Sequence, residues 1–326
     1  MVDQTSQGRS SVAGPLHRRL RVLAVILLAA LLAALLPPAG AGVAEGEPEV
    51  PWVAATGAVV LSDFNQVYYD LNAHVRVPMA STTKMMTAIV AVRYGNLDME
   101  VLIDQHDLVG ESTMGLWAGE VVTLHDLLYG LLLPSGNDAA MAIARSIGWR
   151  SGTTSADEAV QNFVDLMNQT AREYGLRDTH FMNPHGLDEW GHYSTPYDLA
   201  IILRAALNYQ IIREVMQTPA IRRGQHDLYN GNRLLGMRND VLGGKTGFTD
   251  FAGFCLAAAA YGNGRFVIAV VVNDDGDNWF WDVSNLLDWG LEMTAYRDIP
   301  PFVDPRLIGT QFNQYPWMLH PRPVAP

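Results

Sequence analysis

Pro78-Met79-Ala80-Ser81-Thr82-Thr83-Lys84-Met85-Met86-Thr87 is the stretch on which the reading of this chain turns. From Met85 to Val92 the residues are almost all apolar (Met85, Met86, Ala88, Ile89, Val90, Val92) and Gly95 follows as a stop, so a buried helix is expected from Ser81 to Tyr94. Ser81 and Lys84 stand three apart and therefore share one face at its start. That lysine is one of only two among 326 residues, against twenty arginines; the other, Lys245, opens Lys245-Thr246-Gly247. A guanidinium stays protonated, whereas an amine that is buried or crowded by a second cation can lose its proton and serve as a base. Arginine-biased composition with two accidental survivors is the bland alternative, and the surroundings of both lysines argue against it.

Ser135-Gly136-Asn137 lies between the two lysines, after the apolar run Leu131-Leu132-Leu133-Pro134. The chain thus carries S-x-x-K, S-x-N and K-T-G in order. One such tripeptide arises easily by chance; three in order within one domain are specific. The match extends to Pro134-Ser135-Gly136-Asn137-Asp138-Ala139-Ala140, Phe181-Met182-Asn183-Pro184-His185-Gly186-Leu187 and Lys245-Thr246-Gly247-Phe248-Thr249. On these residues the chain, roughly from Pro51 to Tyr296, resembles the serine D-alanyl-D-alanine carboxypeptidases, the low-molecular-mass penicillin-binding proteins.

Peptide hydrolysis needs an activated nucleophile, a proton carrier and a stabilised oxyanion. Ser81 is the expected nucleophile, Lys84 the base that takes its proton, and Ser135 the relay toward the leaving amine. A lysine with a reference pKa of about 10.4 must fall by about three units to act near neutrality, and burial beside Lys245 pushes that way. The resemblance implies an oxyanion hole at the backbone N–H groups of Ser81 and Phe248. It further implies that Asn137 holds Lys84 and the substrate amide, that Lys245 and Thr246 bind a terminal carboxylate, and that Gly247 lets the substrate lie along a strand edge. No cofactor or metal is called for. The expected partners are peptidoglycan stem peptides, with β-lactams as covalent inhibitors.

A hydrophobic content of 49% is ample for a buried core and excludes a disordered chain. His17, Arg18, Arg19 and Arg21 precede an apolar run from Val22 to Leu36 and then small residues, the pattern of an export signal. Its 15 apolar residues fall short of the roughly 20 that span a bilayer, which favours cleavage over an uncleaved anchor. The expected division is a signal peptide over 1–44, a catalytic domain over 45–296 and a tail over 297–326 holding seven of the seventeen prolines. The expected location is the periplasm or the outer face of the cytoplasmic membrane, with any attachment through the N-terminal segment alone. Residues 1–44 carry four arginines and one aspartate, so their loss takes the net charge from −12 to −15. Such an acidic chain does not suit nucleic acid or electrostatic adhesion to anionic lipid. Cys255, alone in the sequence, excludes an internal disulfide and reads as a buried small hydrophobe.

Thr56–Val77 reads as two strands turning near Asp63-Phe64-Asn65, and Ala252–Tyr261 with Arg265–Asn273 as a hairpin through Gly262-Asn263-Gly264. Lys245-Thr246-Gly247 should form an adjacent or edge strand of that sheet. Helices are expected over Thr123–Leu133, Asp138–Ile147, Asp157–Tyr174 and Phe280–Met293, with another starting at Thr195-Pro196-Tyr197-Asp198. The fold class is α/β in the loose sense, α+β: an antiparallel sheet covered by helices plus a mostly helical subdomain, for which the resemblance implies the transpeptidase fold of penicillin-binding proteins and β-lactamases. Glu158 and Asn162 have the spacing of a deacylating glutamate motif but sit on a periodic helix, so a solvated face is the better reading. His185, Asp188 and His192 suggest loop hydrogen bonding rather than a metal site. Met85-Met86 and Trp279/Trp281 read as core, and Ser112, Thr113 and Trp117 as a loop beside the cleft. The competing functions are a D,D-endopeptidase or β-lactamase on the same fold, or a non-catalytic cell-wall binding module.

Overall fold

The computed structural model describes residues 48–262 and 264–296. The expected signal peptide over 1–44, the expected tail over 297–326 and Asn263 of the expected hairpin turn lie outside the described residues. The chain opens with the strand pair β1 (Gly57–Ser62) and β2 (Val67–Leu71), then a 3₁₀ turn over Ala80–Thr83 that runs into α1 (Lys84–Tyr94). Short strands β3 (Glu100–Leu102) and β4 (Val121–Thr123) pair with each other, and α2 (Leu124–Leu132), α3 (Asn137–Gly148) and α4 (Ala156–Glu173) follow. Next come α5 (Pro196–Leu207), α6 (Gln210–Met216), the hairpin β5 (Ala220–Arg223) and β6 (His226–Tyr229), and one turn of helix, α7 (Leu234–Met237). Strands β7 (Val241–Thr249), β8 (Gly253–Gly262) and β9 (Arg265–Asp274) lead into the terminal helix α8 (Trp279–Tyr296).

The main sheet has the order β2-β1-β9-β8-β7 and every pairing is antiparallel. Lys245-Thr246-Gly247 is therefore on an edge strand, as expected, with one side of its backbone unpaired within the sheet. Strand β9 reads as an unbroken apolar run because both its faces are covered. Val267, Ala269 and Val271 pack with Val283, Leu286 and Leu287 of α8, while Ile268, Val270 and Val272 turn toward the helical side with Met85, Ile89 and Leu203. Each of these valine, leucine, isoleucine and methionine side chains, once buried, stabilises the fold by about 1.5–3 kcal/mol. Met85 and Met86 are core residues, as read; Trp281 is not. It is 60% exposed, because the face of α8 against the sheet is set by Phe280, Val283 and Leu287, and residues 281, 285 and 288 fall on the other side.

Helix ends follow local chemistry. Thr195 Oγ1 accepts from the Asp198 N–H at 3.1 Å with Pro196 in the first position of α5. Ser155 Oγ does the same for Glu158 N–H at the start of α4. Among the described residues no helix is long and apolar enough to cross a membrane.

Candidate active site

Three segments converge on Lys84: the 3₁₀ turn that carries Ser81, the start of α3 and the loop 181–187. The helix expected from Ser81 begins instead at Lys84, so Ser81 sits on a tighter turn entered through Ala80 at φ 47°, a left-handed backbone that costs a non-glycine residue roughly 1 kcal/mol. Lys84 is completely buried. Its Nζ lies 2.8 Å from Ser81 Oγ, 2.7 Å from Asn137 Oδ1 and 2.6 Å from the His185 carbonyl. Asn137 Nδ2 donates to the Gly110 carbonyl at 2.8 Å, which fixes its amide with the oxygen toward the lysine. Two of the three neighbours of Nζ can therefore only accept. A neutral amine has two N–H bonds and one lone pair, so these acceptors take both hydrogens and leave the lone pair facing the serine hydroxyl. Burial, and then the charge of Lys245, hold the Lys84 amine well below its ordinary value, against the smaller pull of Asp138 and Glu111.

Beside this pair stands a second one. Lys245 Nζ donates to Ser135 Oγ and to the Thr246 carbonyl, both at 2.9 Å. It is buried too, and burial pushes its pKa down to about 7. Ser135 also has a left-handed backbone, φ 65°. The conformation is held by its neighbours: Gly136 N–H donates to the Gly130 carbonyl and Asn137 N–H to the Ser112 carbonyl, each at 2.8 Å. Asp138 straps the segment before it, accepting from the N–H groups of Met114, Gly115 and Leu116 and from Thr113 Oγ1. Thr113 and Ser112 thus act through Asp138 and Asn137.

Two glycines let the pieces meet. A Cβ on Gly247 would stand 2.9 Å from Ser81 N and 3.0 Å from Ala80 Cβ. Glycine is needed there for the approach of β7 to the serine turn, a different reason from the substrate clearance expected of it. Gly186, at φ 97°, would put a Cβ 2.0 Å from the Ala80 carbonyl. The loop 183–187 therefore lies directly on the Ser81 turn and delivers the His185 carbonyl to Lys84. Asn183 shapes that loop by accepting from Gly186 N–H and donating to the Leu187 carbonyl.

Of the sequence-predicted residues, Ser81 and Asn137 are hydrogen-bonded to Lys84, Ser135 is hydrogen-bonded to Lys245, and the two groups are near enough for the charge of Lys245 to act on Lys84. Thr246 is half-buried next to Lys245, and the Phe248 ring is 52% exposed on β7, stacked 4.5 Å from Phe254. His185, Asp188 and His192 are used in loop hydrogen bonding, as read. His192 Nδ1 accepts from Met182 N–H, so Nε2 carries the proton and donates to Thr83 Oγ1 at 2.8 Å; Asp188 accepts from Thr249. Glu158 accepts from Thr154 on an exposed helix start, away from any catalytic contact. Among the described residues no three His, Cys, Asp or Glu side chains are grouped to hold a metal ion. Cys255 is buried, with its thiol pushed up to about 12 by desolvation. Sequence reasoning missed the His185 carbonyl and Asp138. Both lie inside the sequence motifs, but a backbone acceptor leaves no side-chain signal, and an aspartate at a helix start has a sufficient local reason to be there.

A buried lysine that can accept the proton of a serine, with a second serine–lysine pair alongside, defines an active-serine acyl-transfer enzyme. The sequence profile of the D-alanyl-D-alanine carboxypeptidases matches residues 44–276, and this chain belongs to that family of serine peptidases. It is 35% identical to D-alanyl-D-alanine carboxypeptidase DacF of Bacillus subtilis over 77% of its own length and 65% of the relative's. It is 33% identical to DacB2 of Mycobacterium tuberculosis, over 80% of this chain and 89% of the other, and 33% to DacA of Escherichia coli, over 82% and 67%. The chain thus spans about two thirds of the length of the Bacillus and Escherichia relatives. Among solved structures, the Streptomyces K15 DD-transpeptidase superposes with a TM-score of 0.71 at 32% identity, covering 75% of this chain and 99% of that one. A penicillin-binding protein homolog of Mycobacterium tuberculosis gives 0.70 at 28%, covering 78% and 97%. The expected α+β fold is the one observed.

Proposed function

We propose that the protein is an exported carboxypeptidase that removes the terminal D-alanine from peptidoglycan pentapeptides through a Ser81 acyl-enzyme, and that penicillins acylate the same serine. The observation that carries this is the environment of Lys84 Nζ: complete burial, two acceptor-only partners and the Ser81 hydroxyl at 2.8 Å. In the acylation step the amine takes the Oγ proton as Oγ bonds to the scissile carbonyl carbon. The oxyanion is received by the N–H groups of Ser81 and Phe248, a pairing supported by the close approach of Gly247 to the serine turn. The C–N bond then breaks as Lys84 hands its proton, through the hydroxyl of Ser135 held by Lys245, to the departing D-alanine amine, which leaves Lys84 neutral again. Water subsequently cleaves the ester with Lys84 as base and returns the proton to Ser81.

The free edge of β7 accepts the substrate as an added strand, with its terminal carboxylate at Lys245 and Thr246. Asn137 has one Nδ2 hydrogen committed to Gly110, which leaves the second for the substrate amide. Export rests on the basic and apolar segment of residues 17–36 and on the location of peptidoglycan outside the cytoplasmic membrane. The test is covalent labelling with a tagged penicillin together with D-alanine release from a pentapeptide. Wild-type protein should show both and Ser81→Ala neither; a wild type that retains no label sinks the reading.

A further inference from the structure

The peptide joining Ala80 to Ser81 carries the Ala80 carbonyl on one side and, on the other, the Ser81 N–H, one of the two donors assigned to the oxyanion. A trans peptide is planar, so whatever fixes that carbonyl also aims the N–H in the opposite direction. The plane needs fixing. Ala80 holds φ 47°, and rotation back to an ordinary backbone would relieve the strain and turn the N–H elsewhere. Thr83 Oγ1 donates to the Ala80 carbonyl at 2.8 Å. A threonine hydroxyl can rotate to other acceptors unless its oxygen is also held, and here that oxygen accepts from His192 Nε2 at 2.8 Å. The imidazole is held in its turn. Its Nδ1 accepts the Met182 N–H at 3.0 Å, which leaves the proton on Nε2, and the ring meets Phe181 edge-on at 6.0 Å. Burial keeps it neutral, with its pKa lowered to about 4, so the same tautomer persists at neutral pH. Thr83 and His192 are both buried, and neither is a hydrogen-bond partner of Lys84 Nζ. Gly186 packs on the carbonyl side of the peptide and Gly247 on the nitrogen side, toward β7. A flipped peptide would point its carbonyl oxygen where the oxyanion has to form.

We propose that His192 and Thr83 are positioning residues of the reaction: their hydrogen-bond relay holds the Ala80–Ser81 peptide with its N–H aimed at the oxyanion. The inference rests on the carboxypeptidase reading and deepens it by naming what builds the oxyanion site. Neither side chain gives or takes a proton in the chemistry. Each acts through the Ser81 N–H, which gains in strength as charge develops on the carbonyl oxygen in the transition state.

Two pairs of variants test the relay. Thr83→Val removes the hydroxyl at nearly constant shape, whereas Thr83→Ser keeps it. His192→Gln keeps an N–H donor near the position of Nε2, whereas His192→Asn keeps an acceptor for the Met182 N–H and loses the donor. Rapid-mixing labelling of the full chain with a tagged penicillin gives the limiting acylation rate and the half-saturating concentration separately. The limiting rate should fall about tenfold or more in Thr83→Val and His192→Asn, while Thr83→Ser and His192→Gln keep at least about a third of it. The half-saturating concentration should stay within about threefold of wild type in all of them, because the interaction lost is made in the transition state and not in the bound ground state. Equal rates within both pairs, or a loss confined to the half-saturating concentration, overturn the inference and leave the carboxypeptidase reading standing. A wild type that takes no label overturns the reading and the inference together. Cooperative thermal unfolding reports the fold of each variant, and if Thr83→Val does not fold, His192→Asn against His192→Gln decides.

Discussion

Lys84 and Lys245 are both buried amines, yet their neighbours assign them different work. Lys84 faces a hydroxyl proton and two acceptors, the setting of a base; Lys245 faces Ser135 and a carbonyl, the setting of a donor and cation. Lys84→Arg keeps a charge of similar reach but cannot accept the serine proton, so acylation by a tagged penicillin should fall further than in Lys245→Arg, by at least about tenfold, or roughly 1.4 kcal/mol of barrier. Equal or reversed losses would mean the two roles are exchanged. The pH profile gives a second test. Lys84 must be neutral, so activity is lost toward acid as it protonates; Lys245, with its pKa lowered to about 7, loses its charge as pH rises, so substrate binding should weaken above neutrality. A guanidinium does not titrate there, and Lys245→Arg should remove the alkaline rise in KM. If that rise persists in the variant, another group causes it.

At the scale of elements, the capping assignment for α5 is the simplest to check. Thr195→Ala removes the acceptor for Asp198 N–H and should cost about 1 kcal/mol in unfolding by denaturant, with the penicillin acylation rate unchanged; wild-type stability would refute the cap. This helix start was legible in the sequence because its signals are local: an N-cap, a proline and an acid within four residues. The same holds for the β8–β9 hairpin and for the edge position of Lys245-Thr246-Gly247. Strands β3 to β6, at three or four residues each, were not legible, since so short a run carries no periodicity to distinguish it from a loop. Ser81 was placed on a helix because its spacing to Lys84 is the same in a 3₁₀ turn and in an α-helix. The side chains of the site were readable from their motifs, whereas the His185 carbonyl and the fit of Gly247 against Ser81 depend on segments distant in sequence.

For the molecule as a whole, three desolvated titratable groups set opposing trends of stability with pH. Burial lowers His185 to about 3 and His192 to about 4, below the 6.5 of an unfolded histidine. The unfolded chain then binds more protons than the folded one as pH falls from about 6.5 to 4, so these two groups destabilise the protein toward acid. Asp274 works the other way. Its carboxylate is buried, and desolvation reinforced by the charge of Asp282 raises it to about 7 against the weaker pull of the Asp275 and Gly276 backbone N–H groups. The folded state holds this proton while the unfolded state has lost it, so the contribution is present below about pH 4 and is lost as pH rises through 7. Above that, the fold carries a desolvated, ionised carboxylate beside the charge of Asp282. Asp274→Asn removes the charge at nearly constant shape and should raise stability at about pH 8 by about 1–3 kcal/mol, read as an increase in Tm. Near pH 5 the wild-type carboxyl is already neutral, and the gain should shrink toward zero. An increase of the same size at both pH values would place the effect in packing rather than in titration, and no increase at pH 8 would show that the fold does not penalise the ionised carboxylate.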